Sequence, residues 1–273
     1  MKVTDTLSSL RDRLLGRRTD SPEAFLRAGG RDAVASPVVA CVGDSITNGL
    51  ASANYVDLLK QRLGPEGFRF INAGINANLA WNVLQRIDTV IACRPDIVTL
   101  LIGTNDVNAT FDAETEQRYR REQHLPERPS LAWYRDNVAA ILDSLQGETD
   151  ARLIALDIPI LGENPAGEMN RRVDEYNLAL RAVCAERDVP CLPLHDGLIA
   201  LLPEDRTPPE YASDRKLIVS STASHILLRR SWNDVSRRNG FTVLTDNIHL
   251  NDRGATVVAD LLETEIGNQA GSA

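Results

Sequence analysis

A serine hydroxyl becomes a useful nucleophile only when a base takes its proton and a third group holds that base in one tautomer. Two segments of the chain supply such groups. In Val42-Gly43-Asp44-Ser45-Ile46-Thr47, Ser45 follows an apolar run and precedes a helical pattern, so that the first amides of the helix point toward a developing oxyanion. Asp and Ser are also ordinary helix N-caps, and the segment taken alone is equally a cap. In Thr245-Asp246-Asn247-Ile248-His249-Leu250-Asn251, a carboxylate three residues before an imidazole reaches its Nδ1 within one turn. An isolated pair of this kind is more often structural. Together with Ser45 it completes a nucleophile, a base and a group that orients the base.

The other candidate side chains lack such company. His124 lies among charged residues, His195 follows a short strand pattern and is followed by Asp196, and His225 falls in a helical stretch. None has a carboxylate three residues earlier, so surface or core packing is the expectation for each. Cys41, Cys93, Cys184 and Cys191 form no Cys-x-x-Cys pair, which argues against a zinc site. They are expected as reduced, buried thiols, with a Cys184–Cys191 disulfide left open.

The elements that must position these groups alternate between two periods. Val38-Val39-Ala40-Cys41-Val42 is a short β-branched run between Pro37 and Gly43, as in a strand buried on both faces. Further strands are expected at 68–73, 96–102, 151–158 and 190–194. Helices are expected at 54–63, 79–92, 131–145, 170–186 and 252–265, the last capped by Asn251. Strands alternating with helices imply right-handed βαβ units and one parallel sheet covered on both faces. Ligands of such sheets gather beyond the carboxyl ends of the strands, which is where the loops 43–48, 74–78 and 103–108 converge. Leu7, Leu10, Leu14 and Leu15, then Phe25 and Leu26, suggest short amphipathic helices ahead of the first strand. Residues 195–245 form a long insertion, with a proline-rich exposed loop over 201–211 and a helix over 216–238.

With 38 acidic against 30 basic side chains and a net charge of −8, non-specific attraction to nucleic acid or to an anionic membrane surface is disfavoured. The basic clusters between Arg11 and Arg18 and between Arg229 and Arg238 are interleaved with acidic or apolar residues, as on solvated helix faces. The first 30 residues lack the apolar segment of a signal peptide, and no stretch is apolar enough to span a bilayer. A cytoplasmic protein without stable membrane insertion is the expectation. Its oligomeric state is left open.

With Gly103-Thr104-Asn105-Asp106 added, the chain resembles the SGNH (GDSL-like) hydrolase family. Gly43-Asp44-Ser45-Ile46, Gly103-Thr104-Asn105-Asp106 and Asp246-Asn247-Ile248-His249 match three of its four blocks in the right order. The resemblance runs from about Val38 to Leu262. It implies a flavodoxin-like three-layer α/β/α sandwich with a parallel five-stranded sheet. The domain reading that follows is an N-terminal helical extension over 1–36 and a hydrolase domain over 37–270, with the helical insertion at 195–245 before the last motif. The resemblance also implies Ser45 as nucleophile, His249 as general base, Asp246 as its orienter and the Asn105 carboxamide as an oxyanion donor.

The second block departs from the family pattern. Aligning Asn72-Ala73-Gly74-Ile75-Asn76-Ala77-Asn78 with the usual glycine block puts the oxyanion glycine at Ala77, with Gly74 as the alternative three residues earlier. Alanine keeps the backbone N–H, yet it is strained if the position needs a positive φ. The G-x-S-x-G elbow of ordinary α/β-hydrolases is absent around Ser45.

What these residues imply is a serine esterase or acylhydrolase working through a covalent acyl-enzyme, with no metal or organic cofactor and a small-molecule ester as its partner. An oxyanion hole of the Ser45 amide, the Ala77 amide and the Asn105 side chain would contribute about 3 kcal/mol per donor. Two alternatives stand beside it: an acyltransferase using the same triad, and a non-catalytic binding protein on the same scaffold. Lipids, acetylated sugars and thioesters are all admissible substrates at this point. The insertion either forms a lid, with Leu217, Ile218, Leu227 and Trp232 lining an acyl pocket, or packs on the sheet or in a dimer interface.

Overall fold

The structure, a computed structural model, describes residues 18–267, so the helix expected around Leu7 to Leu15 lies outside the described residues. Five parallel strands form one sheet: β1 (Val38–Gly43), β2 (Arg69–Gly74), β3 (Ile97–Leu101), β4 (Arg152–Leu156) and β5 (Cys191–Leu192), in the order β2-β1-β3-β4-β5. This is the flavodoxin-like strand order, whose reversal point lies between β1 and β3. The β1 run shows why the sheet is covered twice. Val38, Ala40 and Val42 enter the core on one face, while Val39 and Cys41 enter the core on the other, and all are fully buried.

The first face carries α1 (Pro22–Arg27), α4 (Ala80–Leu84), α5 (Ile87–Ala92), α8 (Leu131–Glu148) and α9 (Glu168–Ala185). The second carries α3 (Tyr55–Leu63), α10 (Leu194–Ile199), α12 (Trp232–Arg238) and α13 (Asp252–Gly267). Short helices α2 (Ser45–Asn48) and α6 (Thr104–Asn108) leave the carboxyl ends of β1 and β3. Outside the sandwich lie α7 (Ala113–Glu122) and α11 (Arg215–Leu228).

Four departures from the sequence expectations have local causes. The helix expected over 79–92 is two helices, broken at Gln85 and Arg86, where the Arg86 side chain turns inward to donate to Gly43 O at 3.0 Å and Asn78 Oδ1 at 2.9 Å. The helix expected over 216–238 is also two, α11 and α12, because Arg229 adopts a left-handed φ of 52°. Strand β5 is shorter than 190–194, since Pro193 has no N–H for the ladder and α10 begins at Leu194. Helix α7, where no element was expected, buries only Thr115 and Tyr119 and so carries no apolar period.

Candidate active site

Ser45 owes its position to the way β1 ends. A Cβ on Gly43 would lie 2.2 Å from Thr47 Oγ1 and 2.4 Å from Leu101 O, so only glycine lets β1 turn directly into α2. Asp44 caps that turn, its Oδ1 accepting from the Ile46 N–H at 2.9 Å. The cap and the nucleophile candidate are thus adjacent residues with separate jobs. At the end of β3 Gly103 holds a φ of 128°, a backbone closed to other residues, and Asn105 follows in the first turn of α6.

The third segment folds back on itself beside these two. The Thr245 N–H donates to His249 O at 2.7 Å, and Asp246 Oδ1 accepts from the N–H groups of Ile248 at 2.7 Å and His249 at 2.9 Å. This tight loop brings His249 Nδ1 to 3.0 Å from Asp246 Oδ2 and His249 Nε2 to 2.9 Å from Ser45 Oγ. All three residues are buried. Burial by itself pulls the His249 pKa down, but the Asp246 carboxylate outweighs it and the net shift is upward. Burial works to raise the Asp246 pKa, and His249 with the two backbone N–H groups turns the net shift downward. The charges favour Nδ1–H on the carboxylate side, leaving Nε2 free to accept the serine proton. Asn251 caps α13 as expected, its Oδ1 accepting from the N–H groups of Arg253 at 3.0 Å and Gly254 at 3.1 Å.

Main-chain anchoring extends upstream of the loop. Glu163, buried on the connection after β4, accepts from the N–H groups of Thr242 at 2.8 Å, Val243 at 2.7 Å and Leu244 at 2.9 Å. Arg206, from the insertion, donates to the same carboxylate at 2.6 Å. On the other side, Ser52 Oγ donates to Leu250 O and accepts from the Leu250 N–H, both at 3.1 Å.

Ser45, Ala77, Asn105 and His249 open together on a cleft of about 240 Å³. Asn105 Nδ2 donates to Asn78 O at 3.0 Å and to Asp44 Oδ2 at 3.2 Å. Burial pushes the Asp44 carboxyl up to about 6, against the pull of the Ile46 N–H and His249. Ala77 has a φ of 60°, so the position does hold the left-handed conformation in which alanine is strained and glycine is not. Neither its N–H nor that of Ser45 has an acceptor among the described residues. Gly74 differs: its N–H donates to Asn72 Oδ1 at 3.0 Å, and it faces a separate hollow of about 330 Å³ that also holds Arg86 but neither Ser45 nor His249.

Of the two readings left open for the insertion, the lid as drawn from Leu217, Ile218, Leu227 and Trp232 is not the wall that the structure contains. Of its four residues only Ile218 reaches the cleft; Leu217 packs on the second core, Leu227 is 76% exposed, and Trp232 is buried against His225 at a ring separation of 4.0 Å. Ser213 and the first turns of α11 provide the wall, through Arg215, Ile218 and Val219, opposite Arg118, Tyr119 and Glu122 of α7. Two bonds join these walls: Arg118 donates to Ser213 Oγ at 2.8 Å and Arg215 to Glu122 at 2.7 Å. The 201–211 loop has no regular structure, as expected, but it is not merely an exposed connection, since Arg206 and Tyr211 reach inward.

Other candidates fall elsewhere. His124 is exposed, and His225 Nδ1 bonds Arg230 O at 2.7 Å. His195 is buried, 3.8 Å from Asp174 and 3.6 Å from Asp196, away from the cleft. The four cysteines are free thiols, Cys184 and Cys191 included. Among the described residues no cluster of three or more His, Cys, Asp or Glu side chains could hold a metal ion, and no helix is long and apolar enough to cross a membrane. Sequence reasoning missed Glu163, Tyr119 and the Arg118/Arg215 pairings. Only Glu163 carried a usable signal, since it follows the fourth strand at the ligand-binding edge.

The chain is an α/β/α hydrolase acting on ester bonds. The chain belongs to the GDSL-like lipase/acylhydrolase family, whose profile matches residues 41–257. It is 29% identical over 211 residues to an acetylxylan esterase of Geobacillus stearothermophilus, covering 70% of this chain and 90% of that protein. In fold it is similar to a catalytic mutant of Axe2, an acetylxylan esterase from the same organism, with a TM-score of 0.60, 20% identity and coverage of 86% of this chain and 95% of that one. It is also similar to the acetyl xylan esterase AlAXEase, with a TM-score of 0.58, 19% identity and coverage of 84% and 99%. The catalytic mutants of Axe2 replace one aspartate, one serine or one histidine by alanine.

Proposed function

We propose that the protein is a serine esterase that removes short acyl groups, acetyl above all, from hydroxylated carbohydrate through Ser45, His249 and Asp246. One observation carries the mechanism: an unbroken line from Ser45 Oγ to His249 Nε2 at 2.9 Å and from His249 Nδ1 to Asp246 Oδ2 at 3.0 Å. His249 takes the hydroxyl proton as Ser45 attacks the ester carbonyl, and Asp246 stabilises the imidazolium that forms. The tetrahedral oxyanion is held by the N–H groups of Ser45 and Ala77 and by Asn105 Nδ2, one of whose two hydrogens leaves the longer bond to Asp44 Oδ2 for the oxyanion while the other stays on Asn78 O. Collapse of the intermediate passes the proton from His249 to the departing alcohol, leaving an acyl-serine. Water deprotonated by His249 then releases the acid. A pure binding protein would have no use for a nucleophile aligned with a base and its orienter. The catalytic unit is read as 37–270, preceded by the extension over 1–36.

Two observations support the substrate class. The cleft is small, at about 240 Å³, and Arg118, Glu122 and Arg215 line it beside the short apolar surface of Ile218, Val219 and Ile248. The relatives that the chain resembles are acetylxylan esterases. The test is kcat/KM for p-nitrophenyl esters of two, four, eight and twelve carbons, with acetate release from acetylated xylo-oligosaccharides measured alongside. The acetyl ester is expected to be best, with kcat/KM falling as the chain lengthens and acetate freed from the oligosaccharide. A maximum at eight or more carbons would overturn the assignment.

A further inference from the structure

Asn105 is not held by its own loop alone. Its Oδ1 accepts a hydrogen bond from the Tyr119 hydroxyl of α7 at 2.7 Å; Tyr119 accepts from Asn108 Nδ2 at 2.9 Å; Asn108 Oδ1 accepts from the Tyr211 hydroxyl of the insertion at 2.7 Å. Asn105 and Asn108 are three residues apart on α6, which places both amides on one face. Tyr119 is buried between them, and Tyr211 rests edge-on against Phe111 at a ring separation of 5.1 Å.

The chain has only one workable direction. On the opposite side of Asn105, Nδ2 meets two acceptors, Asn78 O and Asp44 Oδ2. Reversing the amide would set Oδ1 against both and leave several buried acceptors facing one another. With Nδ2 fixed on that side, Oδ1 must find a donor, and Tyr119 is the donor present. Burial raises the ionisation of both tyrosines far above the working range, so their hydroxyls keep their protons. A hydrogen bond accepted at the carbonyl oxygen of an amide also draws charge from its nitrogen, making the N–H a stronger donor.

We propose that Tyr119 is a positioning residue for the oxyanion hole, locking and polarising the Asn105 carboxamide, with Tyr211 of the insertion acting on it through Asn108. The insertion thereby serves the reaction from behind α6. The Arg118–Ser213 and Arg215–Glu122 contacts tie the same two elements together from the cleft side. This inference rests on the assignment of Asn105 as an oxyanion donor and adds what aims it.

Steady-state kinetics on p-nitrophenyl acetate test it, using Tyr119→Phe, Tyr211→Phe, Asn105→Ala and the two tyrosine variants combined with Asn105→Ala. Asn105→Ala is expected to lower kcat by about 10²–10³-fold. Tyr119→Phe should lower kcat by about 10-fold with KM within about twofold, and Tyr211→Phe by about threefold. In the Asn105→Ala background both tyrosine changes should have no further effect on kcat, a coupling that a merely structural role would not produce. Should Tyr119→Phe fail to fold, Tyr211→Phe in the two backgrounds decides by the same criterion. Full kcat in Asn105→Ala would overturn the oxyanion assignment and this inference with it. A large loss in Asn105→Ala, with the tyrosine variants either unimpaired or equally damaging without Asn105, would overturn this inference alone.

Discussion

The loop bearing Asp246 and His249 is gripped at its main chain, whereas the Asn105 carboxamide is gripped mostly by other side chains, with Asn78 O its one main-chain partner. The loop bearing the acid–base pair closes on itself through Thr245 N–H and His249 O, is hung from the Glu163 carboxylate by three consecutive N–H groups, and is fastened to Ser52 at Leu250. The oxyanion side depends on particular hydroxyls and amides, from Tyr211 through Asn108 and Tyr119 to Asn105. The lesson concerns where damage should register. Loosening the supports of the base loop should register first in stability, because buried backbone donors lose their acceptor. Loosening the oxyanion supports should register first in kcat, because the fold keeps its main-chain bonds.

Substitution of Asp246 is expected to cost most. Replacing it with Asn keeps an acceptor for the loop's N–H groups but removes the charge that orients and raises His249, so kcat should fall by about 10⁴-fold with the protein still folded. In the proposed mechanism neutral imidazole is the active form, and activity should therefore rise with pH through the His249 pKa. Losing the carboxylate lowers that pKa, so the acid limb of the kcat/KM profile should move to lower pH. An unmoved limb would separate Asp246 from His249.

Next comes Glu163→Ala, which strands the N–H groups of Thr242, Val243 and Leu244 and the Arg206 guanidinium. Urea unfolding should show a loss of about 3–5 kcal/mol. Glu163→Gln, which retains an acceptor, should lose less. A destabilisation below about 1 kcal/mol for the alanine variant would show that the base loop does not hang from Glu163.

The smallest effect is expected at Ala77, the oxyanion-side residue that contributes only main chain. Glycine relieves about 1 kcal/mol of left-handed strain and returns part of it through the entropy of the unfolded chain. Ala77→Gly should therefore gain less than about 1 kcal/mol in urea unfolding, with kcat unchanged within about twofold. A large loss of kcat would mean that alanine at φ 60° is itself required.

The legible parts of the molecule are those in which neighbours in sequence are neighbours in space. The β1 run, the glycine at its end, Ser45 in the following turn, and an aspartate three residues before a histidine are all local, and their types and spacing state their geometry. The position of Ala77 followed from block alignment, and its φ of 60° agrees with the glycine that the block usually holds there. Residues joined only by the fold were silent. Tyr119 sits on a helix, AETEQRYRRE, with two buried side chains and hence no period to read, and its partner Tyr211 lies in a stretch read as a connection. The insertion misled for a related reason: apolar spacing from Leu217 to Trp232 suggested one amphipathic helix, but Arg229 breaks it, so Trp232 turns to the core and Leu227 to solvent.

An activated nucleophile at Ser45 should react covalently with an electrophile that mimics the ester carbonyl. Treatment of the folded protein with a fluorophosphonate, followed by peptide mass mapping, should give one adduct, on Ser45. The adduct should be lost in Ser45→Ala and strongly slowed in His249→Ala. An unmodified Ser45 in the wild-type protein, or label on a different serine, would remove Ser45 from the mechanism.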